Sequence, residues 1–479
     1  MNSILKKIRQ SDAFNQENRI SYTKAVLLMS LFTFTFLGAE FLFVDMISNT
    51  ASGSQSVAAQ NYALGISVIG FVLYPLFCRV CKGRLQSAVT VGAAILSAVC
   101  MFLICRHSSY VLTLCMGLLL FLILGAFGSA VFYKSLCLLE DNTYIARLVG
   151  ISYMLGILLQ IANSNLVHSA AFEAVILSVF TLILAVTLMR AEKNSIVPAF
   201  SKNNLSEDIG KTGKGSLKVG IILALFVALL TCIFSTLDNA VTLYHANGAV
   251  NIGQWPRILL ALSGLLAGFL FDIACRKYMS MIMYCVMILS TICLVVLEFA
   301  EPFTVGLIIF YLSAGFFAVF FTASFMEIAQ YTKMPELWAG LGRAVNNLVA
   351  AAITGGSLAL LNSGNNIAIT TIELILFVLA SVAAFIYTNM RRSFFEKLDA
   401  KDRIKSSNSE RLQKLSEQFS LTPREAEVFG LLVNTEDGLQ TIADNLYVSR
   451  RTLERYVSAL YEKTGTKSRV GLASLYNSI

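Results

Sequence analysis

Near the end of the chain, Arg450, Arg451, Glu454, Arg455 and Ser458 recur at the spacing that lines one face of a helix. Guanidinium forks and short polar groups in that pattern suit base edges and phosphate oxygens. A charged helix face taken alone is most simply a solvated one. Here the neighbouring charge argues further. From Arg450 to Arg469 six basic residues (Arg450, Arg451, Arg455, Lys463, Lys467, Arg469) stand against two acids (Glu454, Glu462), whereas the segment from Leu421 onward balances seven against seven. Positive charge is concentrated as phosphate contact requires.

Those side chains need a scaffold, and the preceding residues describe one. In Leu421-Thr422-Pro423-Arg424-Glu425, Thr422 is an N-cap, Pro423 takes the first helical position and Glu425 closes a capping box. Phe429, Leu432 and Val433 carry that helix to Asn434, and Thr435-Glu436-Asp437-Gly438 turns the chain. Leu439, Ile442, Ala443 and Leu446 then predict a short second helix. After the tight connection Tyr447-Val448-Ser449, with Ser449 as cap, Leu453, Val457 and Leu460 predict a third. Two short helices joined by a three-residue turn make a helix-turn-helix, whose second member enters the major groove. The residues expected at DNA are Thr441, Ser449, Arg450, Arg451, Thr452, Glu454, Arg455, Ser458, Lys463, Lys467 and Arg469.

Leu421-Thr422-Pro423-Arg424-Glu425-x-Glu427-Val428, then Ile442-Ala443-x-x-Leu446-x-Val448-Ser449-x-x-Thr452-Leu453, then Lys463-Thr464-Gly465 and Ser468-Arg469 together resemble the LuxR-type helix-turn-helix module. The resemblance covers the C-terminal eighth of the chain. It departs at Tyr456, where the family often has His, and in the acidic Thr435-Glu436-Asp437 loop. It implies a homodimer on a palindromic double-stranded DNA operator, with a fourth helix (Val470, Leu472, Leu475) contributing to pairing.

The rest of the chain is a different kind of object. Hydrophobic residues make up 56% and charged residues 14% of 479 positions, which excludes a soluble domain for most of the length. Apolar stretches long enough to cross a bilayer occupy 25–47, 58–78, 86–105, 110–133, 145–165, 169–189, 219–244, 256–274, 279–299, 303–328, 336–361 and 367–388. The expected fold is all-α: a polytopic bundle of about 12 transmembrane helices, arranged six plus six, and a C-terminal four-helix DNA-binding domain. The expected domains are a cytoplasmic N-terminal segment (1–24), a first membrane half (25–190), a cytoplasmic linker (191–218), a second half (219–389), an amphipathic connector (390–420) and the DNA-binding domain (421–479).

Basic residues test the count independently, because cytoplasmic loops carry the excess. With the N-terminus inside, 19 lie in cytoplasmic segments before the tail, whereas the outer loops hold Arg106 and Arg257. The expected site is the inner (plasma) membrane, with both termini cytoplasmic. Leu76-Phe77-Cys78-Arg79-Val80-Cys81-Lys82 also parallels Leu270-Phe271-Asp272-Ile273-Ala274-Cys275-Arg276, and at the same offset Gly70 falls on Gly264. This is similar to the repeated halves of the major facilitator superfamily. Gly268-x-x-x-Asp272-x-x-x-Arg276-Lys277 resembles that family's loop motif; the first half has Cys78 where the acid belongs. That departure speaks against active transport.

Ionisable groups inside spans are costly and usually functional. Glu40, Gln160, Asp238, Asn239, Arg343, Asn346 and Asn347 fall on spans that border the central cavity of a facilitator-like bundle, and together they suit an unknown small-molecule ligand. Equally, Arg343 could simply pair with one of the acids. His107, His168 and His245 lie on the expected outer side without ligand spacing, and Cys105 and Cys115 could form a disulfide. No metal site or cofactor is expected. The connector reads as two amphipathic helical pieces broken at Ser406-Ser407-Asn408, serving as a docking element, a pairing element or a spacer. With no nucleotide-binding loop, catalytic constellation or receiver domain, the chain reads as a non-enzymatic, membrane-embedded one-component transcription regulator. The alternatives are a secondary transporter with a regulatory tail and a bundle that only anchors the DNA-binding domain.

Overall fold

The computed structural model describes residues 2–106, 109–139, 142–193, 209–246, 256–298 and 303–478. Two compact units divide the chain, Met1–Arg391 and Arg392–Ile479. No β-strand occurs among the described residues. The first unit contains α1 (Asn2–Ser48), α2 (Gly53–Val80), α3 (Arg84–Cys105), α4 (Tyr110–Leu138), α5 (Ile145–Leu166) and α6 (Ala170–Lys193) in its first half. Its second half contains α7 (Ile209–Ala246), α8 (Pro256–Phe271), α9 (Met279–Glu298), α10 (Phe303–Ala329), α11 (Pro335–Asn362) and the beginning of α12 (Asn366–Gln418).

Among the described residues ten helices are long and apolar enough to cross a membrane, and Pro256–Phe271 and Met279–Thr291 are shorter apolar helices. The twelve expected spans therefore correspond to twelve helices, two of them short. The eighth stops at Phe271 rather than 274 because Ala274, Cys275 and Arg276 turn left-handed, with φ of 49°, 52° and 64°. Large apolar side chains such as Leu73, Leu225, Leu266 and Phe385 remain exposed on the bundle, as a lipid-facing surface requires. Most of the expected linker, between Lys193 and Ile209, lies outside the described residues. So do His107 and the side chain of His245.

The two halves approach closely where α5 crosses α8. A Cβ on Gly150 would lie 2.7 Å from the Gly264 carbonyl oxygen and 2.8 Å from the Gly268 Cα, so the seam admits no side chain there. Cys105 donates to the Ala170 carbonyl at 3.3 Å, and among the described residues no disulfide joins it to Cys115.

In the second unit α12 finishes and is followed by α13 (Pro423–Asn434), α14 (Leu439–Asn445), α15 (Arg450–Thr464) and α16 (Arg469–Asn477). The expected break at Ser406-Ser407-Asn408 is absent; the helix runs through it. Leu415 is fully buried among the DNA-binding helices, Leu412 and Phe419 pack against it, and the Tyr476 hydroxyl donates to the Asn408 carbonyl at 3.0 Å. The end of the connector is thus part of the domain's core. Leu472 belongs to the same core and Leu475 packs on it, which corrects their expected role in pairing; Val470 alone of the three is exposed.

Candidate nucleic-acid interface and ligand cavity

The capping box at the head of α13 is formed as the residue types require. Glu425 N–H donates to Thr422 Oγ1 at 3.3 Å, and Thr422 N–H donates to Glu425 Oε2 at 2.7 Å. Ser449 caps α15 by accepting from Thr452 N–H at 3.2 Å, so Ser449 and Thr452 shape the entry of the helix. Leu453, Val457 and Leu460 face the core, leaving Arg450, Arg451, Glu454, Arg455 and Ser458 exposed on the other side. Thr441 is exposed on α14, and Lys467 is exposed beyond α15. Arg450 pairs with Glu454 at 3.0 Å in a half-exposed contact worth about 0–1 kcal/mol.

Two residues expected at DNA have other partners. Lys463 Nζ donates to Glu425 Oε2 at 2.6 Å and to the Ser420 carbonyl at 3.2 Å. Arg469 donates to the carbonyls of Leu432 (2.7 Å), Asp437 (2.6 Å) and Thr435, closing the end of α13 and the turn after it. Its guanidinium fills the acceptors that a helix end leaves open. Arg469 is therefore a folding residue, and the basic face narrows to Arg450, Arg451, Arg455 and Lys467.

The Lys463 ammonium and the Thr422 amide hold the Glu425 carboxyl below the usual carboxylate range. A depressed carboxylate contributes stability that is complete above its unfolded pKa of about 4.3 and is lost as pH falls through the lower folded value. The melting temperature of residues 392–479 should therefore exceed that of Glu425→Gln at neutral pH, and the gap should close as pH falls below about 4. A gap that stays constant with pH would show that charge plays no part. Thr422→Ala, removing the other half of the cap, should cost about 1 kcal/mol.

In the membrane unit a cavity of about 210 Å³ is lined by α1, α2 and α5 of the first half and α7, α8, α10 and α11 of the second. Glu40, Gln160, Asp238, Arg343, Asn346 and Asn347 line it, as their sequence positions suggest. Asn239 does not. It is 1% exposed, accepts from Asn61 Nδ2 at 2.8 Å and donates to Ser357 Oγ at 3.1 Å, tying α7 to α2 and α11. Arg257, counted as an outer-loop residue on sequence, is a cavity residue. It lies on α8, donates to Gln160 Oε1 and covers the Phe41 ring. Positive charge just inside a span reads like a loop charge in the sequence. Gln60, which donates to Glu40 Oε1 at 2.7 Å, was also not anticipated.

Arg343 takes neither acid. Its guanidinium lies 5.1 Å from the Phe36 ring centroid and 5.9 Å from that of Phe321, and among the described residues it makes no ion pair or hydrogen bond. Asp238 likewise has no hydrogen-bond or ion-pair partner among them.

A second polar cluster lies where α5 begins and α8 and α10 end. Asp272 accepts Arg147 N–H at 2.7 Å and Ala146 N–H at 3.2 Å, so a carboxylate of the second half caps a helix of the first. Arg276 donates to Asp272 at 3.1 Å, to the Thr143 carbonyl at 3.0 Å and to Glu327 at 2.8 Å. Arg391 holds both oxygens of Glu327, at 3.0 and 2.8 Å. The left-handed turn that presents Arg276 costs roughly 1–2 kcal/mol per residue, and these contacts hold it. Glu327 and Arg391 were missed on sequence, although Glu327 is the one charged residue in α10. In the first half Cys78 stands where the acid belongs, and the N-cap of α11, Met334, makes no side-chain cap.

Residues 419–476 match the family model for bacterial regulatory proteins of the luxR family. The C-terminal segment is a LuxR-type DNA-binding domain. The remainder resembles solved transporters. An auto-inhibited POT family peptide transporter superposes with TM-score 0.50 and 12% identity, covering 78% of this chain and 96% of its own. FucP, a major facilitator superfamily transporter in its outward conformation, superposes with TM-score 0.53 and 14% identity, covering 78% and 99%. The membrane unit thus has the facilitator fold. No curated protein sequence matches the chain. The protein is a multi-pass membrane protein that joins a facilitator fold to a LuxR-type domain.

Proposed function

We propose that the facilitator unit senses a small molecule and that the ion chain ending on Arg391 transmits its state to the LuxR-type domain. The observation that carries this reading is that chain itself: Asp272, Arg276, Glu327 and Arg391 link the seam between the halves to the residue at which the membrane unit ends. A ligand shifts such a protein only by binding two conformations unequally. A ligand that loosens the seam withdraws Asp272 from α5, frees Arg276 and changes the hold on Glu327 and Arg391. The LuxR-type domains then pair on a palindromic operator, with Arg450, Arg451 and Arg455 as base or phosphate contacts. On this reading the bundle lies in the inner membrane with both termini cytoplasmic. Moving Arg257 from an outer loop to the cavity strengthens the charge asymmetry behind that orientation.

In a transcriptional reporter strain, the compound that shifts wild-type output should have no effect on Arg391→Gln, while Arg392→Gln, whose Glu396 pair is mostly exposed, should respond normally. A normal response from Arg391→Gln would remove the ion chain from the mechanism. Secondary transport with a regulatory tail draws support from the same fold and cavity. Uptake of the responding compound, measured in vesicles, distinguishes it.

A further inference from the structure

The arrangement of charge in the cavity identifies a class of ligand, and this inference rests on the sensing role proposed above. Two carboxylic acids, Glu40 and Asp238, and two guanidiniums, Arg257 and Arg343, line the cavity. Tyr153 lines the same cavity. Yet among the described residues no ion pair joins any of them. Glu40 is engaged by the Gln60 amide and Arg257 by the Gln160 amide, both neutral partners. Arg343 is held on two aromatic faces with its donors unused, and Asp238 accepts no hydrogen bond.

Buried charges in a membrane bundle normally pair with one another. Here the protein keeps opposite charges on one cavity apart, leaving one donor set and one acceptor set for whatever enters. A singly charged ligand would leave one of them unsatisfied and bring a net charge into a site that is formally balanced. A neutral sugar would leave both without a counter-charge. We infer that the cavity binds a small zwitterion, its anionic group on Arg343 and its cationic group on Asp238.

The test is thermal unfolding of the full-length protein in nanodiscs against a panel of proteinogenic amino acids and dipeptides. Each is accompanied by its N-acetyl and carboxamide derivatives, with neutral monosaccharides alongside. At least one zwitterion should stabilise the protein saturably, and either derivative should bind about ten- to a hundredfold more weakly. Arg343→Gln should erase the preference for free carboxylate over carboxamide, and Asp238→Asn the preference for free amine over N-acetyl. Equal binding by a singly charged or neutral compound, or no stabilisation by any zwitterion, overturns the inference, and neither result depends on the variants folding. The reporter is read separately. Saturable zwitterion binding without a transcriptional response would defeat the sensing role alone, whereas a response to a sugar would defeat the ligand class alone.

Discussion

Replacing Arg451 and Arg455 together by alanine should abolish operator footprinting by the LuxR-type domain. Both side chains are exposed on α15 and neither makes an ion pair among the described residues; Arg455 only lies 5.9 Å from the Tyr456 ring centroid. Each good bidentate contact to a base contributes about 1–3 kcal/mol, so losing two should lower operator affinity by about 2–6 kcal/mol. Salt separates the two modes of contact. If the arginines read bases, the variant should lose discrimination between operator and random DNA. If they hold phosphates, affinity should fall alike on all sequences, and the slope of log affinity against log salt should drop by about one for each residue. Retained protection of the operator would remove both from the interface. Arg469→Ala provides the contrast: its three carbonyl partners predict a loss of melting temperature in residues 392–479 before any question of DNA arises.

Glu327→Ala should cost the membrane unit about 3–5 kcal/mol, because it takes from two buried guanidiniums the carboxylate they share. Glu327 is 3% exposed and is the acid shared by Arg276 and Arg391, so its removal leaves neither cation with its counter-charge at that position. Arg276 keeps Asp272 at 3.1 Å after the change, whereas Arg391 loses the carboxylate whose two oxygens it holds. Thermal unfolding of the purified protein should show a large drop for Glu327→Ala and almost none for Arg392→Ala, whose pair with Glu396 is 69% and 62% exposed. A Glu327→Ala protein as stable as the wild type would mean that the ion chain is poorly formed in the membrane.

Local chemistry made the LuxR-type domain legible from its residues. The capping box of Thr422 and Glu425, the apolar spacing of α13 to α15 and the cap at Ser449 are all set within a few positions, and each appears where its residue types place it. Long-range partners were not legible in the same way. Arg469 and Lys463 read as members of a basic face because charge counts along a chain do not show which guanidinium is already facing three carbonyls. The same limit explains Leu472 and Leu475, which face the core because α16 packs on α13.

For the membrane unit, hydropathy and the expense of intramembrane charge act on every residue separately, so the all-helical bundle and six of the seven expected cavity residues were legible from residue types alone. Packing between distant helices is what brings Arg257 into the cavity, takes Asn239 out of it, leaves Arg343 without an acid and connects Asp272 through Arg276 and Glu327 to Arg391. Those outcomes depend on which groups from distant helices meet across a seam closed by Gly150, Gly264 and Gly268. An ion pair forms where geometry brings opposite charges within about 4 Å, and that distance is a property of the packed bundle.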